Sequence, residues 1–259
     1  MPDTHGQFVW YELMTTDTAA GGAFYGAVVG WDRMPAGIPG MDYTMFAAGG
    51  VPTAGLMTLP DDLRAAGAPP GWIGYVAVDD VDAAAAKAVG LGGAVHHAPA
   101  DLPGVGRFAA IADPQGAALV LFKASSMPQT PAPPRGTPGH VAWRELFAAD
   151  WPQAAEFYGA MFGWTKADAI DIGEMGTYQL FAAAAGAEPV GGMFNKPAMV
   201  PACFWLYYIC VADFDAAVGR VTAGGGTVVN GPMEVPGGDW IVQCFDPQGA
   251  MFALVGKRG

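Results

Sequence analysis

The sequence predicts an α+β protein built as a tandem repeat, two similar modules that together comprise four βαβββ units. Three observations carry this prediction. One long segment returns further along the chain, an aspartate stands before a helix-like stretch in each unit, and short apolar runs bounded by Gly and Pro follow each helix.

The repeat is direct. WYELMTTDTAAGGAFYGAVVGW at residues 10–31 returns as WRELFAADWPQAAEFYGAMFGW at residues 143–164. The same spacing pairs Trp72 with Trp205, Asp82-Ala83 with Asp215-Ala216, Pro99 with Pro232, and the DPQG of Asp113–Gly116 with that of Asp246–Gly249. A module is therefore expected over 1–123 and a second over 139–259. Residues 124–138, ASSMPQTPAPPRGTP, have the proline content of an extended linker.

Within the first module, Phe8–Met14 has the composition of a strand. Asp17 can cap a helix that puts Phe24, Ala27 and Val28 on one face and stops at Gly30. Three short strands are expected next. A second cycle opens with a strand over Trp72–Val78, and Asp80 caps an alanine-rich helix running through Val89 to the Gly92-Gly93 stop. Strands around Val95, over Phe108–Ile111 and over Ala117–Phe122 complete it, the last two joined by the DPQG turn. The second module repeats this order.

Composition narrows the function. The formal charge is −12, with 12 Lys and Arg against 24 Asp and Glu, and no basic stripe is present to neutralise phosphates. Nucleic acid and membrane are thus not expected partners. The start, Met1-Pro2-Asp3-Thr4-His5, lacks a cationic and apolar leader, so the expected location is the cytoplasm. Cys203, Cys210 and Cys244 have no metal-type spacing and are expected as buried thiols. Nucleophile-elbow, phosphate-loop and dinucleotide fingerprints are absent.

The FYG…GW segment after a capping aspartate, the VDDVDAA helix start and the DPQG turn before a terminal apolar strand together resemble the vicinal oxygen chelate superfamily. This superfamily includes glyoxalases, extradiol dioxygenases, fosfomycin-modifying enzymes and bleomycin resistance proteins. The resemblance covers both modules, and the W-x-E-L openings are similar to those of tandem glyoxalase-like bacterial proteins. It implies that paired βαβββ units curl into cup-shaped sheets with helices outside, and that metal-dependent members carry His or Glu on the cup floor. Transferred to this chain, those floor positions fall on Trp10, Ile73 and Val120 in the first module and on Trp143, Leu206 and Ala253 in the second. None has a side chain that binds a hard divalent cation. A further ligand position falls near Met57 or Met193. No cofactor is expected, with a divalent metal left open.

If Trp10 faces the cup, strand alternation also turns Glu12 and Met14 inward. The same rule turns Trp143, Glu145 and Phe147 inward in the second module, with Leu206, Tyr208 and Ala253, while Tyr75 and Val120 join the first. Such a lining suits a small, flat or largely apolar ligand, and it equally suits a closed core. Glu12 and Glu145 are the candidate catalytic residues. A carboxylate among apolar groups needs a donor, and that donor could be structural, from a backbone or a Tyr, or belong to a ligand. Arg144 would fall on the helix-covered side, where it needs a partner. Of the adjacent His96 and His97, at most one can enter the cup.

The expected function is binding of a small, largely apolar or aromatic molecule without metal, by a monomeric pseudo-dimer or a homodimer. The alternative is a metal-independent lyase, isomerase or hydrolytic enzyme using Glu12 or Glu145 as general base. A metal-dependent glyoxalase or dioxygenase ranks third.

Overall fold

A computed structural model of the chain describes residues 4–37, 42–126 and 133–259. The N-terminal tripeptide and much of the expected linker lie outside the described residues. The first repeat runs β1 (Phe8–Thr15), α1 (Thr18–Val29), β2 (Asp32–Pro35), β3 (Tyr43–Ala48), β4 (Val51–Thr58), α2 (Asp61–Ala65), β5 (Gly71–Ala77), α3 (Val81–Gly90), β6 (Ala94–Leu102), β7 (Gly106–Ala112) and β8 (Ala118–Ala124). The second runs β9 (Val141–Ala148), α4 (Trp151–Phe162), β10 (Thr165–Asp171), β11 (Thr177–Ala182), β12 (Pro189–Asn195), β13 (Phe204–Cys210), α5 (Phe214–Ala223), β14 (Thr227–Val235), β15 (Asp239–Phe245) and β16 (Met251–Gly256). This is βαβββ four times, with the short α2 added between the first two units.

Strands β1–β8 belong to one eight-stranded sheet and β9–β16 to another. Contacts divide the chain differently, into two compact units that each draw on both repeats. One comprises Met1–Val9, Gly74–Pro131 and Trp143–Trp205, the other Trp10–Ile73, Ala132–Ala142 and Leu206–Gly259. The first unit contains the strand orders β5-β8-β7-β6 and β10-β11-β12-β9, with α3 packed against α4. The second contains β2-β3-β4-β1 and β13-β16-β15-β14, with α1 packed against α5.

The helices begin where the sequence places their caps. The carboxylates of Asp17, Asp80, Asp150 and Asp213 accept from the backbone N–H groups of Ala20, Ala83, Gln153 and Ala216. Helix α1 ends on Gly30 and α4 on Gly163, both left-handed, at φ 87° and 77°, where a side chain would be strained.

Two repeated motifs, FYG and DPQG, meet inside each unit. In the second unit the Asp246 Oδ1 accepts from the N–H groups of Gln248 and Ala250, closing the turn before β16. Its Oδ2 accepts from the Tyr25 hydroxyl at 3.2 Å, and that hydroxyl accepts from Trp72 Nε1 at 2.9 Å. The first unit repeats this with Asp113, Tyr158 and Trp205, at 3.0 Å for both side-chain bonds. Tyr25 and Tyr158 are fully buried, so each phenol supplies apolar packing together with the hydrogen bond that the aspartate requires. Burial pushes both aspartates above the ordinary carboxylate range, and the hydrogen bonds they accept oppose that shift.

The three cysteines are free and buried, and burial pushes the Cys244 thiol up to about 12. Among the described residues, no helix is long and apolar enough to cross a membrane.

Removing the hydroxyl in Tyr25→Phe leaves a part-buried indole N–H and a buried carboxylate oxygen short of a partner. It should lower the unfolding free energy by about 1–3 kcal/mol in urea titrations, and an unchanged midpoint would contradict the assignment. The pH dependence has a defined sign. Because the folded pKa of Asp246 is raised, folded protein binds protons that unfolded protein has already released as pH climbs past 3.8. The stability of the wild type relative to Asp246→Asn should therefore fall as pH rises through that window; a rising difference would show the opposite shift.

Candidate functional site

Strand β1 lies parallel to β4, with Glu12 opposite Gly55 and Met14 opposite Met57. Strand β3 lies antiparallel on the far side of β4, and its Tyr43 reaches across toward β1. The Tyr43 hydroxyl accepts from Trp10 Nε1 at 2.9 Å and bonds the Glu12 carboxylate. In the second repeat, Trp143 Nε1 donates to the Tyr178 hydroxyl at 2.7 Å, and that hydroxyl donates to Glu145 Oε1 at 2.9 Å. Each half-site thus has a directed chain from indole N–H through tyrosine hydroxyl to glutamate, contained within one compact unit.

Glycine makes this reach possible. Gly55 and Gly192 are the register partners of Glu12 and Glu145. A Cβ at Gly55 would occupy the place of the Tyr43 hydroxyl, and one at Gly192 would collide with the Tyr178 ring. The tyrosine lies over the bare strand and meets the carboxylate beyond it.

Glu12 and Glu145 are buried, at 6% and 7% exposure, so each needs the donor it has. Burial first, and then the adjacent glutamate charge, push Tyr43 and Tyr178 well above the ordinary phenol range, against the lowering effect of the indole bond. Both phenols stay protonated and act as donors to the glutamates.

The other expected lining residues occupy defined places. Tyr75 lies beside Val120 across β5 and β8, with its ring 5.9 Å from that of Phe122. Phe147 is buried, stacked on Phe204 at 4.6 Å and edge-on to Phe194 at 4.7 Å. Leu206, Tyr208 and Ala253 are buried, and Tyr208 pairs with Ala253 across β13 and β16. Arg144 has its partner: the guanidinium lies 5.4 Å from the centroid of Phe8 and donates weakly to the Val190 carbonyl. His96 and His97 are both exposed, and the His97 ring stacks on Phe108.

The sequence reading did not single out Tyr43, Tyr178, Gly55, Gly192, Gln243 or Asn230. The tyrosines are legible afterwards as YTMFAA against YQLFAA, displaced from the main spacing by an insertion in the second repeat. Gln243 and Asn230 form a polar row with Tyr208. Asn230 Nδ2 donates to Gln243 Oε1 at 3.1 Å, and Gln243 Nε2 donates to the Tyr208 hydroxyl at 2.7 Å. Asn230, Gln243, Ala253 and Tyr208 are successive register partners across four strands. In the first repeat the same row reads His97, Ala110, Val120 and Tyr75.

Iron, manganese or zinc requires several N, O or S donors converging on one point. The positions that would carry them hold Trp10, Ile73, Val120, Trp143, Leu206 and Ala253. Met57 pairs with Met14, whereas Met193 pairs with Leu146, so these two methionines do not occupy equivalent places. Among the described residues, no three His, Cys, Asp or Glu side chains gather in a group that could hold a metal. This donor set does not fit a metal of that kind.

The paired sheets and the repeated floor define a tandem glyoxalase-like protein. Residues 10–122 match a family model described as a glyoxalase-like domain, and residues 137–254 match that of the Glyoxalase/Bleomycin resistance protein/Dioxygenase superfamily. The chain belongs to this superfamily, the vicinal oxygen chelate proteins.

It is 33% identical to CFP32 of Mycobacterium tuberculosis, whose assignment as a glyoxylase is provisional, over 95% of this chain and 93% of that one. It is likewise 33% identical to the anthracycline biosynthesis protein DnrV of Streptomyces peucetius, over 98% and 94%. Among solved structures, a Mn(II)-bound glyoxalase from Novosphingobium aromaticivorans shares the fold at TM-score 0.63 and 18% identity, covering 99% of this chain and 83% of that one.

If the glycines exist to admit the tyrosines, Gly55→Ala and Gly192→Ala should each lower stability by about 1–3 kcal/mol through overpacking. Gly71→Ala, where an added Cβ meets nothing within 4 Å, should change it little. Equal effects at all three positions would contradict the packing argument.

Proposed function

We propose that this protein binds a small, flat, largely apolar or aromatic molecule without a metal, against the sheet faces that carry Trp10, Glu12 and Met14 and Trp143, Glu145 and Phe147. The observation that carries the reading is the tyrosine-held glutamate. At the heart of each half-site the acid is engaged by a phenol that stays protonated, and the floor around it is apolar or aromatic where metal-dependent relatives need donors. Aromatic walls supply burial and stacking, and the few fixed polar groups orient the ligand. The relatives named as anthracycline biosynthesis proteins support this reading. The binding unit is one chain of two repeats, 1–123 and 139–259, working in the cytoplasm as a monomeric pseudo-dimer or as a homodimer.

A second reading has Glu12 or Glu145 as general base in a metal-independent lyase, isomerase or hydrolytic reaction. The placement of both carboxylates on an otherwise apolar floor favours it.

Two measurements test the proposal. Protein purified without chelator should contain substoichiometric Mn, Fe, Zn and Ni, and planar aromatic compounds should raise the melting temperature saturably, a ligand at a hundred times its Kd adding about 2.7 kcal/mol. A stoichiometric metal, or no response to aromatic compounds, would overturn it. Glu145→Gln separates the two readings: ligand binding within severalfold of wild type fits a binding protein, and turnover abolished in this variant fits the general base.

A further inference from the structure

The two repeats share the tryptophan–tyrosine–glutamate chain and differ in what stands beside it. In the second repeat, phenylalanines from β9, β12 and β13 close on one another. Phe147 lies opposite Phe194 in the strand register, their rings 4.7 Å apart and edge-on. The Phe204 ring stacks on Phe147 at 4.6 Å with 11° between the planes, and the Tyr178 ring, whose hydroxyl holds Glu145, lies 5.8 Å from Phe194. Little of this cluster reaches solvent: Phe147 is 6% exposed and Phe194 5%.

The first repeat has the same places and none of the rings. Met14 lies opposite Met57 as Phe147 lies opposite Phe194, and both methionines are half-buried. The spacing that pairs Trp72 with Trp205 puts Gly71 where the second repeat has Phe204. A Cβ at Gly71 would meet nothing within 4 Å, so open space begins where the Phe204 side chain leaves its strand in the other repeat. Met14, Met57 and Gly71 belong to the same compact unit as Tyr43 and Glu12, and the phenylalanines to the unit of Tyr178 and Glu145.

We infer that the first repeat binds an aromatic ring of a small molecule over Met14 and Met57 beside Gly71, in the place that the Phe204 ring takes in the second repeat, and that the second repeat is closed by its own phenylalanines. This rests on the small-molecule reading above and adds which repeat takes the ligand, at one molecule per chain. The stack of Phe204 on Phe147 is a flat ring already seated against this part of the fold. Methionine suits an exchangeable ring better than phenylalanine does, because its unbranched chain adapts to the shape beside it and its sulfur makes favourable contacts with aromatic rings. A ligand ring over Met14 and Met57 removes from water the apolar surface that Phe147 and Phe194 hide by packing on each other.

The test is equilibrium dialysis of the full chain against 2-naphthol, with wild type, Gly71→Phe and Phe204→Gly. Wild type should bind one molecule per chain, and the methyl NMR signals of Met14 and Met57 should shift in the ring current of the bound probe. Gly71→Phe, which gives the first repeat the ring of the second, should weaken binding by about tenfold or more, the factor that burial of one ring carries. Phe204→Gly should raise the stoichiometry to two. Two equivalent sites in wild type, a loss in Gly71→Phe short of that factor, or Met14 and Met57 signals that stay fixed at saturation overturns the assignment to the first repeat and leaves the small-molecule reading standing. A stoichiometry that stays at one in Phe204→Gly overturns the closing role of Phe204. Absence of saturable binding in wild type and both variants overturns the inference and the small-molecule reading together. Far-ultraviolet circular dichroism and urea midpoints confirm that each variant is folded; if either fails to fold, Gly71→Leu and Phe204→Ala carry the same expectations.

Discussion

A carboxylate buried among apolar groups has to be given a donor, and in this protein a tyrosine that itself accepts from a tryptophan supplies one. The arrangement occurs four times: Trp72, Tyr25 and Asp246; Trp205, Tyr158 and Asp113; Trp10, Tyr43 and Glu12; Trp143, Tyr178 and Glu145. A phenol suits the middle place because its oxygen both donates and accepts while its ring fills core volume. Indole is a pure donor, so the direction of each chain is fixed. The two aspartate chains hold turns and helices together, and the two glutamate chains bring an acid to the opposite face of a sheet. The glycines at 55 and 192 follow from this constraint, because without them the phenols could not cross a strand to reach the acids.

Duplication accounts for why the chains come in pairs, and divergence is visible where they do not. The aspartate chains agree closely in geometry. The rows ending at Tyr75 and Tyr208 do not match: one carries Ala110 and the other Gln243, anchored by Asn230. Structural polar groups such as the two aspartates are retained in both copies, whereas the buried amide of Gln243 is present in one.

Much of this was legible in the sequence. The repeat, the four capping aspartates, the glycine stops and the DPQG turns all sit at constant spacing and depend on local chemistry, so they could be read without tertiary information. The glutamates were found by strand alternation, and a tyrosine was among the partners considered for them. Which tyrosine could not be read, because Tyr43 and Tyr178 lie two strands away and an insertion breaks the common spacing. In sequence the FYG tyrosines read only as motif markers, since their bond to the aspartate of DPQG joins the start of one repeat to the end of the other. The row through Gln243 was hidden for a related reason: cross-strand register depends on the bulges in β14 that shift its pairing with β15.

The account turns on the bond between Tyr178 and Glu145 being an energetic link as well as a geometric one. A double-mutant cycle with Tyr178→Phe and Glu145→Gln, read by urea unfolding, isolates that link. A coupling on the order of 0.5–3 kcal/mol is the predicted result, and two substitutions that add to within about 0.3 kcal/mol would contradict it.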